Sequence, residues 1–358
     1  MRVLPIHPVS EYNTGDLLTY YGSKRIMHYA FGDDVEFLHV DSRRAEAELS
    51  TYVPEYNWGE VDVVLVCGSP FLGVSIDNAK CIMLEQAVKR YPRAKKIALG
   101  VGSSFRHNNV YFSNYYDYVD RNANSNQRAI DNAKELFEDF DLVVSRDSFT
   151  QGLLDLAKIN SEMYFDTSAF YYSGIGNKDR KEKLFIYSNP LTMDSWGHAP
   201  EGVWKIYNER FLEYTKDYTT IVITSQDKAY LDKIRIKSLF CTDLEYLKYL
   251  YSNADVVISV KVHQAIFAKC CGCDNVSLYP VDSRALTACN FGIGIVQPEI
   301  DLDIIPQHKT DYRLESIRKQ GGKGYLSGEN KNINLAFNID KVPEYLDWYK
   351  ERLVNAVM

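Results

Sequence analysis

His263 and Lys261 stand two residues apart at the end of an apolar run, in 255-DVVISVKVHQAIFAKCCGC-273. A histidine, with a reference pKa of about 6.5, gives and regains a proton near neutrality, and a lysine beside it adds a fixed positive charge. Strand alternation sends both side chains in the same general direction if the strand persists to His263. The spacing predicts a helix from about Gln264 to Gly272, whose positive end lies at the same place. Together these make an anion site with a proton donor, with Gln264 at its edge. Cys270, Cys271 and Cys273 invite a metal or thiol reading. They fall at the far end of that helix, roughly 10 Å from His263 at about 1.5 Å per residue. Their C-C-x-C spacing also lacks the paired units of a zinc site. They read as packing thiols, and no metal is expected.

Other polar residues follow apolar runs in the same way. In 142-LVVSRDSF-149, Arg146 comes directly after a strand pattern, with Asp147-Ser148 as helix-capping types. The guanidinium points into a crevice and binds a carboxylate or phosphate bidentately, or it forms an ion pair with Asp147 or a neighbouring helix end. Gly100, Gly102 and Ser103 lie in one glycine-rich turn, and Cys67-Gly68-Ser69 in another. Glycine lets a backbone approach a ligand, but neither turn matches a P-loop or a dinucleotide fingerprint. In 13-NTGDLLTYYG-22, Asn13 and Gly15 precede a helix with Asp16 as its N-cap, which reads as a turn and a cap or as a substrate contact. Asp282 and Arg284 follow another apolar run, where they line the crevice or hold its loops by an ion pair.

The elements that position these residues are short β-branched runs at 61–69, 96–105, 141–146, 184–190, 220–224 and 255–260, each followed by a turn. Apolar runs of this length without alternation suit strands buried on both faces, hence parallel sheets covered by helices. The expectation is an α/β chain of two Rossmann-like doubly wound domains facing across a cleft. The boundary falls in 173-SGIGNKDRKEK-183, where glycine and then charge precede a fresh strand. Residues 1–175 form the first domain, which takes the acceptor side, and 182–300 the second, which takes the donor side. Residues 301–358 are loops and a C-terminal helix packing back across the domains. In such sheets ligands bind beyond the carboxyl ends of the strands.

Composition narrows the function. With 46% hydrophobic and 25% charged residues in 358 the chain is an ordinary globular protein, too long for one core. A formal charge of −7 argues against broad nucleic-acid binding, so an anionic substrate needs a local cationic pocket. No apolar run reaches the roughly 20 residues that cross a bilayer, and the first residues lack the apolar region of a secretory signal. A cytoplasmic location is expected, with seven reduced cysteines.

NTGD, V-x-C-G-S, G-V-G-S, V-V-S-R-D-S-F-T, F-D-T-S-A-F at 165–170, V-K-V-H-Q-A-I-F-A and the late D-S-R occur in one order from about residue 11 to 295. In this the chain resembles the polysaccharide pyruvyl transferase family. The resemblance implies a glycosyltransferase-B-like fold and transfer of a pyruvyl group from phosphoenolpyruvate onto two sugar hydroxyls as a ketal. It assigns Arg146 to the donor's phosphate or carboxylate and His263 to general acid catalysis, with Lys261 beside them. Two departures stand out: Lys261 replaces the family's arginine, and Cys67-Gly68-Ser69 replaces a glycine triplet. Lysine keeps the charge and loses the planar fork.

No cofactor is expected, phosphoenolpyruvate being a substrate. The expected partner is a sugar acceptor, in a polysaccharide or its precursor, with nucleotide or lipid linkage left open. The segments 106–118 and 189–202, rich in aromatic and hydroxyl groups, form an acceptor surface or are surface loops packing on the domain, and Asp194 and His198 there are further acid–base candidates. Two rival readings remain: a nucleotide-sugar glycosyltransferase of the same architecture, and a degenerate glycan-binding relative. The sequence leaves the acceptor sugar and the oligomeric state, including a homo-oligomer, open.

Overall fold

The computed structural model describes residues 1–7, 14–38, 59–73, 79–103, 123–174, 176–177, 180–189, 201–279, 285–296 and 335–358. The chain divides into two compact units. The first is built from Met1–Ser104, Val119–Ser173 and Phe337–Met358, and the second chiefly from Gly174–Ala336.

Strands β1 (Arg2–Ile6), β2 (Glu36–Phe37), β3 (Val63–Cys67), β4 (Pro70–Leu72), β5 (Lys95–Ser103), β6 (Leu142–Ser145) and β7 (Glu162–Met163) belong to the first unit. They lie in the order β2-β1-β3-β5-β6-β7, with β4 beside β5, and every pairing is parallel. Val63 to Cys67 is buried throughout, as a strand with helices on both faces must be. Pro5 sits inside β1, where a proline removes a ladder donor. The carbonyls of Met1 and Val3 bond towards β2, and β2 ends at Phe37. Pro5 shares their parity, so its missing N–H falls beyond the end of the neighbouring strand.

Helix α1 (Thr14–Phe31) packs on the short turn Thr167–Phe170. Contact is close enough that a Cβ on Gly22 would lie 1.7 Å from the Thr167 carbonyl oxygen. Helices α2 (Ala79–Arg90), α3 (Ala123–Phe137) and α4 (Ser148–Leu156) complete the crossovers. The last helix of the chain (Val342–Val357) belongs to this unit. Trp348 stacks on Tyr164 with centroids 3.8 Å apart, and the buried Tyr349 hydroxyl donates to the Phe165 carbonyl at 2.7 Å.

The second unit contains β8 (Glu182–Tyr187), β9 (Thr219–Val222), β10 (Leu239–Phe240), β11 (Ala254–Ser259), β12 (Asn275–Leu278) and β13 (Gly294–Ile295). Their order is β10-β9-β8-β11-β12-β13, again all parallel. In chain order within the unit this reads 3-2-1-4-5-6, the dinucleotide-binding Rossmann order, whose direction reverses between β8 and β11. Helices α5 (Glu201–Asp217), α6 (Ser225–Lys233), α7 (Leu244–Ser252), α8 (Val262–Cys270) and α9 (Ala285–Cys289) connect the strands. One side of the sheet buries an aromatic core of Phe185, Tyr187, Phe211, Val222, Leu231, Val260 and Tyr279. Tyrosine hydroxyls inside it are paired: Tyr187 donates to Asn208, whose amide donates to Tyr230, and Tyr214 bonds Tyr279. Much of the chain's tyrosine content is thus packing surface.

The α/β class and the doubly wound parallel sheets expected from the sequence are what the chain forms. The unit boundary lies between Ser173 and Gly174. Gly174 N–H donates to the Cys270 carbonyl and Asn177 N–H to that of Ser252, which fastens the connecting segment to the second unit.

Candidate active site

The sequence of β11, DVVIS, runs straight into α8 through Val260 and Lys261. Ser259 shapes that junction. Its hydroxyl donates to the Lys261 carbonyl at 2.8 Å and its oxygen accepts from the Lys261 N–H at 3.0 Å. Lys261 thereby becomes the N-cap of α8, two residues earlier than the sequence spacing predicts. A lysine has no acceptor, so the side chain of Lys261 makes no capping bond of its own. The contrast with other helix starts is clear: Asp147, Thr224 and Asp243 each accept from an N–H in the first turn of their helices. His263 lies in the first turn of α8, half-buried like Lys261. A helix start, a lysine and a histidine therefore stand together beyond the carboxyl end of β11, beside the reversal of strand order. A helix start and a cation are the elements from which anion sites are built, and a histidine is a residue type that can carry a proton.

Gln264 does not share that position. It is fully buried, and its Oε1 accepts from the Tyr251 hydroxyl at 2.7 Å. One residue further round the helix, its side-chain oxygen bonds across to α7.

On the other side of the reversal, β8 ends at Tyr187 and continues into Ser188 and Asn189, both almost fully buried. The β8–β11 register pairs Ile186 with Ser259, which puts Ser188 level with Lys261. Asn189 N–H donates to Asp227 Oδ1 at 2.8 Å. Ser259, Asn189 and Asp227 were not singled out by sequence reasoning. The Thr224-x-x-Asp227 spacing of a capping box was the available signal.

In the first unit several of the described candidates are buried. Arg146 is completely buried, with Nη1 2.9 Å from Asp166 Oδ2 and Nε 3.8 Å from Asp147 Oδ2. Its guanidinium is thus held between carboxylates instead of pointing into a crevice. Asp147 is the cap of α4 and Asp166 begins the turn packed under α1. Gly102 makes room for this group: a Cβ there would lie 2.3 Å from Arg146 Nε. Gly102 therefore serves packing, and so does buried Ser103, whose hydroxyl accepts from Thr150. Gly100 and Gly68 both have positive φ and lie against Thr167. Ser69, also at positive φ, is fully buried. Gly15 and Asp16 are inside α1, which begins at Thr14, so Asp16 is a buried first-turn residue and not the N-cap. His7 follows β1, where strand order reverses in this sheet. It stacks on Tyr20 at 4.2 Å, and its HPVS context was not recognised as a strand end. Burial raises the Tyr20 hydroxyl to about 12.

Asn13, Asp282, Arg284, Asp194 and His198 lie outside the described residues, as do 106–118 and most of 189–202. Cys270, Cys271 and Cys273 are buried at the far end of α8. Desolvation pushes the Cys271 thiol well up and that of Cys273 to about 11, so both are neutral packing groups at physiological pH. Among the described residues no group of three or more His, Cys, Asp and Glu side chains is placed to hold a metal ion. No helix among them is long and apolar enough to cross a membrane.

The family model for polysaccharide pyruvyl transferase matches residues 13–280. No curated protein matches the chain. Similar solved structures include a functionally uncharacterized protein of Klebsiella pneumoniae subsp. pneumoniae, with 12% identity and a TM-score of 0.46, covering 83% of this chain and 92% of that one. Anabaena HepE in complex with UDP-glucose has 9% identity and a TM-score of 0.39, with 99% and 100% covered. Escherichia coli heptosyltransferase WaaC with ADP-2-deoxy-2-fluoro heptose has 10% identity and a TM-score of 0.35, with 90% and 99% covered. At TM-scores below 0.5 these likenesses add nothing to what the two sheets themselves show.

Proposed function

Because the chain belongs to the polysaccharide pyruvyl transferase family, we propose that it transfers a pyruvyl group from phosphoenolpyruvate onto two hydroxyls of a sugar, as a ketal. The observation that carries this reading is the α8 start, where Lys261 stands in the cap position and His263 in the first turn. Phosphoenolpyruvate is strongly anionic, and the protein carries a formal charge of −7, so a local cationic site is required.

Lys261 and the helix start hold the donor's negative charge. His263, protonated beside it, gives its proton to the methylene carbon of the enol. The C2 carbon becomes electrophilic, and a first sugar hydroxyl adds there and loses its proton. The second hydroxyl then displaces phosphate to close the ketal. Two hydroxyl protons leave in all: one restores His263 and the other leaves with phosphate. Arg146, buried between Asp147 and Asp166, is assigned to holding the first unit's strand ends and not to the donor. His263 as general acid contributes about 10²–10⁴-fold.

The test is to incubate the protein with phosphoenolpyruvate and a panel of sugar acceptors, following inorganic phosphate and the mass of the acceptor. Phosphate release matched by ketal formation supports the reading. Release of a nucleoside diphosphate from sugar nucleotides, with phosphoenolpyruvate untouched, would overturn it in favour of a glycosyltransferase. Inertness towards both donors, with glycan binding intact, would leave a binding protein.

A further inference from the structure

We propose that Asp227 is a positioning residue for the anion site, acting through the backbone of Asn189; this rests on the reading of that site given above. Thr224 and Asp227 have capping-box spacing at the start of α6. In an ordinary box the side chain three residues on reaches back to the backbone N–H of the cap. Here only half of that pattern is made: Thr224 Oγ1 accepts from Asp227 N–H at 3.1 Å. The carboxylate is used elsewhere. Its Oδ2 accepts from the Thr224 hydroxyl at 2.7 Å, and its Oδ1 accepts from Asn189 N–H at 2.8 Å.

Asn189 is two residues beyond the last bonded residue of β8, Tyr187, so its N–H has run past the end of the sheet ladder. It is only 4% exposed, where a donor without a partner is costly. Asp227 supplies the partner from the neighbouring crossover. The bond ties the loop after β8 to the helix after β9. On the other edge of β8, Val260 N–H donates to the Ile186 carbonyl and leads into the Ser259–Lys261 turn. One wall of the strand-order reversal thus carries Lys261 and His263, and the opposite wall is Ser188–Asn189, set by Asp227. Helix capping alone does not require this use of a carboxylate, because Thr224 already caps α6. A buried carboxylate beside a site for an anion is unfavourable unless its oxygens are occupied, and both are.

The experiment compares Asp227→Ala, Asp227→Asn and Thr224→Ala with the unaltered protein. Three quantities are measured: KM for phosphoenolpyruvate, kcat, and the Kd of inorganic phosphate by calorimetry. Asp227→Ala is expected to raise both KM and Kd on the order of tenfold, with kcat nearly unchanged, as loss of one buried acceptor implies. Asp227→Asn restores both to within about threefold, because its amide oxygen still accepts from Asn189. Thr224→Ala lowers the melting temperature and leaves both constants in place. Unchanged constants in Asp227→Ala, or equal changes in Thr224→Ala, overturn the inference. If the unaltered protein binds phosphate but does not turn over phosphoenolpyruvate, the proposed reaction fails, and the phosphate constants still decide the role of Asp227. If it binds no phosphate, both fail.

Discussion

Two junctions in this molecule share a pattern: an apolar strand, a cation within two residues of its end, and a helix. At 142–150 the cation is Arg146, and at 255–264 it is Lys261. The first ends as a sealed ion pair and the second as a half-buried helix start. The difference comes from the neighbours. Arg146 is followed by Asp147, a capping residue that is also an anion, and Asp166 reaches it from 20 residues downstream. Gly102 leaves space for the guanidinium beside β5. Lys261 is itself in the cap position, and the residue before it in the turn, Ser259, bonds only its backbone. A cation after a strand is therefore not one structural type: Arg146 is fully buried between two carboxylates, and Lys261 is a half-buried helix cap.

The contrast can be broken experimentally. The largest effect is expected for His263→Ala, which should lower kcat by about 10²–10⁴-fold while thermal unfolding stays close to that of the unaltered protein. A loss of fold instead would make His263 a strut like Arg146. Next, Arg146→Ala should destabilise by about 3–5 kcal/mol in urea unfolding, since it removes the cation held between two buried carboxylates. A stable variant with weakened phosphate binding would show that Arg146 reaches the ligand after all. Lys261→Met should weaken phosphate by about ten- to a hundredfold with little change in stability, as calorimetry would show. Gly102→Ala should cost about 1–3 kcal/mol, because the ion-paired Arg146 has nowhere to retreat.

The smallest effect concerns the far end of α8. Burial raises Cys273 from 9.0 to about 11, so the folded state favours its neutral thiol. A pKa raised on folding gives stability that is complete below 9.0 and is lost as the pH climbs through about 11. Stability should thus be flat on this account from neutrality to pH 9 and fall above it. Half-buried Cys289 should be the first thiol to react with a disulfide reagent in the native protein, ahead of the six buried ones.

The doubly wound sheets were legible because strands buried on both faces leave uninterrupted runs such as VVLVC and DVVIS. β1 was not, since Pro5 breaks its pattern, and the two-residue strand β7 is too short to leave one. At the site, sequence placed Lys261 and His263 after β11, because position after a strand is a local property. Which way a side chain turns is not. Gln264 differs from His263 by one step round a helix, and only the packing of Tyr251 shows that it faces inward. Arg146 could not be read as a strut without knowing that the turn at 166 returns to it. Asp227 was hidden for the same reason: its partner lies 38 residues earlier, just past the end of another strand.

Helix Val342–Val357, with the short turn Ile339–Lys341 before it, completes a unit whose other described elements all lie before Gly174. During synthesis, every described strand of the second unit leaves the ribosome before Trp348 exists to stack on Tyr164. The unit begun first is therefore the one finished last. Its Tyr164–Phe165 surface waits uncovered for roughly 10–40 s at ordinary elongation rates.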